Sequence, residues 1–174
     1  MDALIELLRA TSEAFRAGTA TEEELYALVH RIGHEEHLQA EAQPIVESLL
    51  LAPANQIRYI ALQVLTITWA CAEHRKTCEA FLVRETDADN RRTAVYGLAR
   101  LLNGTRDAAA LTLLLKIFRD EYERRTTRDS AYSAILSILG RPPSEWPSAA
   151  RFLDHTKDIN WERIEEAEKI ARPR

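Results

Sequence analysis

Three segments of this chain align without a gap, and that self-similarity restricts the possible folds more than any other feature. They are IRYIALQVLTIT from Ile57, NRRTAVYGLARL from Asn90 and TRDSAYSAILSI from Thr127. In register, Arg58, Arg91 and Arg128 are each followed three residues later by Ala61, Ala94 and Ala131. Leu62, Val95 and Tyr132 come next, and then Leu65, Leu98 and Ile135. Apolar residues at intervals of three and four lie on one face of a helix. The offsets between the arginines, 33 and 37 residues, suit units of two helices, which bury their apolar faces only by stacking on one another.

The segments between these helices read as their partners. CEAFLVRE from Cys78 and AAALTLLLKIFRDEY from Ala108 are helical in pattern, and polar connections separate them from the aligned segments. Pro53 and Asn55 precede the first aligned helix, and Asp87, Asp89 and Asn90 precede the second. Asn103-Gly104-Thr105 supplies a stop and a cap before the next helix. Upstream, Leu4, Ile5, Leu8, Ala14 and Phe15 predict a helix ended by Gly18. Thr21 and Glu24 form a capping box for a second helix closed by Gly33. A third runs to about Leu51, with its start expected near Pro44, because an interior proline removes a helical hydrogen bond. Beyond Gly140 the pattern decays. Pro142, Pro143 and Pro147 predict a turn and then a short helix, and a last helix starts near Asp158 with Ile159, Trp161, Ile164, Ala167 and Ile170. No alternating strand pattern is visible.

The order of turn, acid or Asn, Arg-x-x-Ala and helically spaced apolar residues resembles the second helix of a HEAT repeat. ADNRRTAVYGLARLLNGTRDAAALTLLLKIFRD is the best match. The resemblance covers about residues 55–140, and its motifs specify architecture far more than activity. It implies an all-α, α-α superhelix: a short solenoid of antiparallel helix pairs in a single domain over 1–174. In that division 1–52 holds degenerate helices, 53–140 the repeats and 141–174 capping helices. It also makes Arg58, Arg91 and Arg128 structural, bonding to acids in neighbouring turns, with Ala61, Ala94 and Ala131 at the paired small positions. Pro53-Ala54-Asn55 lacks the expected turn acid, so the ladder is expected to break under Arg58.

Composition then excludes whole classes. The chain has 46% hydrophobic and 29% charged residues with five glycines and six prolines, far from a disordered composition. A formal net charge of -4 opposes general affinity for phosphate backbones, so no nucleic acid is expected. The start, MDALIELLRATSEAF, lacks a secretory pattern, and no stretch approaches the roughly 18 apolar residues that signal a membrane span. A cytoplasmic protein is expected. Its two cysteines, Cys71 and Cys78, read as buried small residues in a reducing compartment. Lysine occurs only at Lys76, Lys116, Lys157 and Lys169 among many arginines and alanines, a bias expected of a bacterial coding sequence.

Reactive constellations are sparse. His30, His34 and His37 cluster in HRIGHEEH, but the spacing is not that of the zinc-protease motif, and Gly33 interrupts the helix, so a solvated corner is the preferred reading. Asp87, Asp89 and Asn90 lack the glycine and closing glutamate of a calcium loop. RDEYERRTTRD from Arg119 interleaves both signs of charge and reads as a mutually paired surface. No cofactor and no metal is expected, and no catalytic residue is identified.

In the resembled architecture the second helices line a concave side, where residues one and five places after each arginine face outward. Those are Tyr59 and Gln63, Arg92 and Tyr96, and Asp129 and Ser133. Tyrosine and arginine are enriched at interface anchors, so this face is the expected site for an unidentified protein partner. The reading is a noncatalytic interaction module or adaptor, an immunity or antitoxin-like protein being one form of it. The alternative is a HEAT-like enzyme such as an alkylpurine DNA glycosylase or a bilin lyase. A monomer or weak homodimer is expected, with Trp146 and Trp161 either capping the stack or forming the dimer contact.

Overall fold

The computed structural model describes residues 2–147 and 152–172, and among them the regular structure is helical, with no strand. Nine α-helices are present among these residues. They are α1 (Ala3–Arg16), α2 (Glu22–Gly33), α3 (Gln39–Leu49), α4 (Asn55–Gln63), α5 (Arg75–Arg84), α6 (Ala88–Leu101), α7 (Ala108–Arg119), α8 (Arg125–Ile138) and α9 (Trp161–Ala171). None is long and apolar enough to cross a membrane. The three aligned segments fall on α4, α6 and α8.

Local chemistry sets most of the boundaries. Asp2, Asp87, Asp107 and Asn160 each accept a backbone N–H at the start of a helix, satisfying donors that the first turn leaves without partners. At α2 the full capping box forms, with Thr21 Oγ1 accepting from Glu24 N and Glu24 Oε2 accepting from Thr21 N. Gly18 closes α1 at φ +75°, a conformation open to glycine because it has no Cβ. The cap of α7 is Asp107 rather than Thr105, whose hydroxyl instead donates back to Leu102 O at 2.7 Å.

Other departures from the expected boundaries have equally local causes. Helix α3 begins five residues before Pro44, not at it. The proline sits exposed, and Ala40, whose carbonyl would have accepted the missing bond, is exposed too, so water can satisfy that carbonyl. The last helix begins at Trp161, where Asn160 caps it, rather than at Asp158. After Gly140 a 3-10 turn forms over Pro143–Glu145, whereas the short helix expected beyond Pro147 falls on 148–151, outside the described residues.

Alternate helices pack in series: α2 on α4, α4 on α6, and α6 on α8. Their sequence partners flank them, with α1 on α2, α3 on α4, α5 on α6 and α7 on α8, while α9 closes against α7. The apolar interior has two parts that meet at α4. Ile57, Ile60, Ala61, Val64 and Leu65 face the part built with α1–α3, whereas Leu62 joins the part built with α5–α9.

Helix α4 is pressed between its neighbours at two glycines. A Cβ on Gly33 of α2 would lie 2.8 Å from Val64 Cγ2, and one on Gly97 of α6 would lie 2.5 Å from Thr66 Oγ1 and 2.7 Å from Cys78 Sγ. Gly33 therefore serves close helix approach, not only the helix stop read from the sequence. Both contacts land where α4 continues as one widened π turn, Val64–Thr68, in which Trp69 N bonds to Val64 O at 2.9 Å. The Trp69 indole N–H donates to Gly33 O at 3.0 Å, and Ala70 turns the chain at φ +52°.

A second set of links joins the connections between helices. Arg58 donates through Nε and Nη2 to the two oxygens of Glu85, at 2.8 and 3.1 Å, and through Nη1 to the carbonyls of Ala52 and Pro53. Arg91 likewise pairs with Glu123 and donates to Leu82 O. The link under Arg58 is thus present, contrary to expectation, because Arg58 and Arg91 reach forward to acids in the following connection and need none in their own. Arg128 donates to Phe118 O, without an acid partner among the described residues. On the other helices Arg75 grips Asp107, the cap of α7, through two bonds of 2.7 and 2.8 Å.

The charges of RDEYERRTTRD are spent across elements and not on one another. Glu123 meets Arg91, Arg119 meets Glu168, and Arg125 donates to Leu153 O.

Two outcomes follow. Gly97→Ala forces a methyl into the space held by Thr66 and Cys78 and is expected to lower stability by about 1–3 kcal/mol in urea unfolding. An unchanged midpoint would mean that α4 gives way freely. Glu85 loses hydration on burial, which alone raises its pKa, yet Arg58 and the N–H groups of Asp87 and Thr86 bring it from 4.5 to about 2. Its contribution is complete above pH 4.5 and is lost as pH falls through about 2. Glu85→Gln should therefore show a shallower loss of stability across that window than the wild type, and parallel profiles would refute this.

Candidate functional site

The six side chains singled out in the sequence lie on α4, α6 and α8; Tyr96 is exposed and the other five are half-buried. Tyr96 is the most exposed at 44%, and its hydroxyl accepts a 2.9 Å bond from Ser130 Oγ on α8. That bond fixes the ring's tilt while leaving much of its surface in water. Arg92, one turn earlier, pairs among the described residues only with Asp89 of its own helix at 3.0 Å, a contact of little strength at such exposure. On α4, Tyr59 is half-buried against the first part of the core, and Gln63 follows one turn later. Tyr26 of α2 continues the row. Burial, with Tyr59 as a second cause, raises its pKa, and His30 stacks on it at 6.4 Å between ring centres.

Asp129 and Ser133 are placed differently. Residues 152–158 run beside α8, where Leu153 N donates to Asp129 Oδ2 at 3.1 Å and His155 Nε2 lies 2.9 Å from Asp129 Oδ1. Arg125 holds the same stretch through Leu153 O and lies 5.1 Å over the Phe152 ring. Asn160 N donates to Tyr132 OH at 2.9 Å. Ser133 is turned back onto Asp129 O at 3.4 Å. Of the six, Tyr96 is exposed while Tyr59, Gln63 and Arg92 are half-buried on the neighbouring helices α4 and α6, and the chain's own residues 152–158 cover the α8 end at Asp129.

The histidines of HRIGHEEH do not converge. His30 and His34 meet edge to face at 4.8 Å, while His37 lies on the following 3-10 turn, 3.8 Å from Glu35. Cys71 and Cys78 are both free and buried, and burial pushes the Cys78 thiol up to about 12, which makes it inert at neutral pH.

A second polar centre went unread in the sequence. Gln39, Gln43 and Glu47 occupy successive turns of α3 and face Cys71, Glu73 and His74, which lead into α5. Gln43 Nε2 donates to Glu47 Oε1 at 2.9 Å and to Glu73 Oε1 at 2.8 Å, while Cys71 Sγ donates to Gln43 Oε1 at 3.8 Å. His74 is buried, with Nε2 3.1 Å from Glu47 Oε1 and Nδ1 3.3 Å from Thr77 Oγ1. The signal was present as polar residues every fourth position in α3 and as the CAEH tetrapeptide, but joining them requires the turn of the chain after Trp69. Glu73's pKa is lowered by its own backbone N–H first and by Gln43 next, and burial, followed by Glu73, raises that of Cys71.

Compared with protein-family models, curated proteins and solved structures, the chain finds no match.

The hold on 152–158 is testable by itself. Asp129→Ala should accelerate hydrogen exchange at the Leu153 amide by at least about tenfold, as expected for loss of a charge-assisted bond. Exchange unchanged in the variant would show that other contacts hold this stretch.

Proposed function

We infer that the protein is a noncatalytic interaction module, a short HEAT-like α-α superhelix that holds a protein partner on the face shared by α4 and α6. The observation carrying this reading is Tyr96, a 44% exposed aromatic whose hydroxyl is already tethered to Ser130, with Arg92 one turn away. A ring held in place loses little conformational freedom on binding, which is what makes tyrosine an effective anchor. Tyr59 and Gln63 extend the same surface onto α4. The superhelical arrangement is supported by the serial packing of α2, α4, α6 and α8 and by the arginine links between successive connections. Such a row offers a partner several parallel helices at once. A protein that masks a toxin is one form such an adaptor takes.

The test is affinity capture from the source organism with the wild type and with a Tyr59→Ala, Arg92→Ala, Tyr96→Ala variant that retains its melting temperature. A partner held by the wild type and lost by the variant supports the reading. Equal capture by both would move the site elsewhere. A photo-crosslinker at position 96 that labels the captured protein supplies the direct contact.

A further inference from the structure

We propose that Glu47, Glu73 and His74 form a binding site for a divalent transition-metal ion of the Zn2+ class, independent of the α4–α6 face. One ligand atom from each of these residues lies within 4.8 Å of the others, so rotation of the exposed Glu73 side chain inward is what brings all three to the roughly 2.0–2.2 Å bonds of a single zinc ion. Imidazole nitrogen with carboxylate oxygens is a donor set that favours zinc and its neighbours over calcium or magnesium, which take oxygen alone.

Charge supplies a second argument. Four partly buried carboxylates elsewhere in the molecule meet guanidinium groups, Glu85 with Arg58, Asp107 with Arg75, Glu123 with Arg91 and Glu166 with Arg141, whereas Asp129 meets His155. Glu47 and Glu73 converge with neither an arginine nor a lysine in an ion pair among the described residues. Between them lies the amide nitrogen of Gln43, 2.9 and 2.8 Å from the two oxygens, and Glu47 Oε1 also meets His74 Nε2 at 3.1 Å. A neutral N–H2 group thus occupies the position that a cation would take. Turning or withdrawing the Gln43 carboxamide opens that position, and its oxygen, now facing Cys71, is itself a possible metal donor.

The third argument is the orientation of His74. A metal-binding imidazole is neutral, offers one nitrogen to the ion and donates from the other to a second group that fixes the tautomer. Without an ion, His74 Nε2 donates to Glu47 Oε1 and Nδ1 lies against Thr77 Oγ1; an ion bound between Nε2 and Glu47 would shift the proton to Nδ1, where Thr77 Oγ1 can accept it. Because Glu47 belongs to α3 and the other two ligands precede α5, the bound ion would tie two successive helix pairs together across the turn at Ala70.

Calorimetric titration with Zn2+ and thermal melting, on the full chain, test the site. Expected are one equivalent of saturable binding and a higher melting temperature with metal. Glu73→Gln alters an exposed side chain and should leave the fold intact while weakening Zn2+ affinity at least about tenfold. His74→Ala should do the same, and His30→Ala with His34→Ala should leave affinity unchanged. No saturable binding by the wild type overturns the site. So does affinity retained in Glu73→Gln, or affinity lost with the His30 and His34 pair.

Discussion

The architecture depends on how closely α4 can approach α2 and α6. Backbones of neighbouring helices come near one another only where a side chain is missing, and Gly33 and Gly97 provide those gaps on either side of the same turn. Val64 and Thr66 fill them. The widening of that turn to π geometry places Thr66 against Gly97 while its hydroxyl donates to Leu62 O at 2.7 Å, so a polar group enters the interior already satisfied. With α4 seated, its apolar residues divide between the two halves of the core, and the halves become one structure. The indole of Trp69, bonded to Gly33 O, closes the same contact from outside.

That contact also bears on both candidate regions. Tyr59 and Gln63 ride on α4, and Arg92 and Tyr96 on the α6 helix packed against it. The turn that follows Trp69 brings Glu73 and His74 back to Gln43 and Glu47 of α3. One region is aromatic and spans α4 and α6. The other is small and polar, with its histidine buried and its carboxylates meeting no arginine or lysine in an ion pair among the described residues.

The sequence was most legible where periodicity and capping act within a few residues. The aligned arginines marked α4, α6 and α8, and Thr21 with Glu24 marked the start of α2, because such signals are local. It was least legible where the cause lay elsewhere in the chain. Gly33 looks like a stop until Val64 is seen against it. Asp129 looks like an outward-facing residue until residues 152–158 are placed beside it. Arg58 seemed to lack an acid because its own turn has none, while Glu85, far along the chain, was available. The Glu47, Glu73 and His74 group escaped notice for the same reason: two stretches, each unremarkable alone, meet only after the chain turns at Ala70.

The arginine ladder has a direction. Arg58 is satisfied by Glu85 and Arg91 by Glu123, in each case by a residue made later during synthesis. Both links run forward, from an arginine near the start of one aligned helix to an acid in the connection that leads to the next, while Arg128 turns back to Phe118 O. Cutting the chain before Glu85 or Glu123 therefore takes the carboxylate from a partly buried guanidinium, whereas cutting before Arg58 leaves both acid-paired links whole. For these two links the chain has a direction, each unit being completed electrostatically by the connection after it.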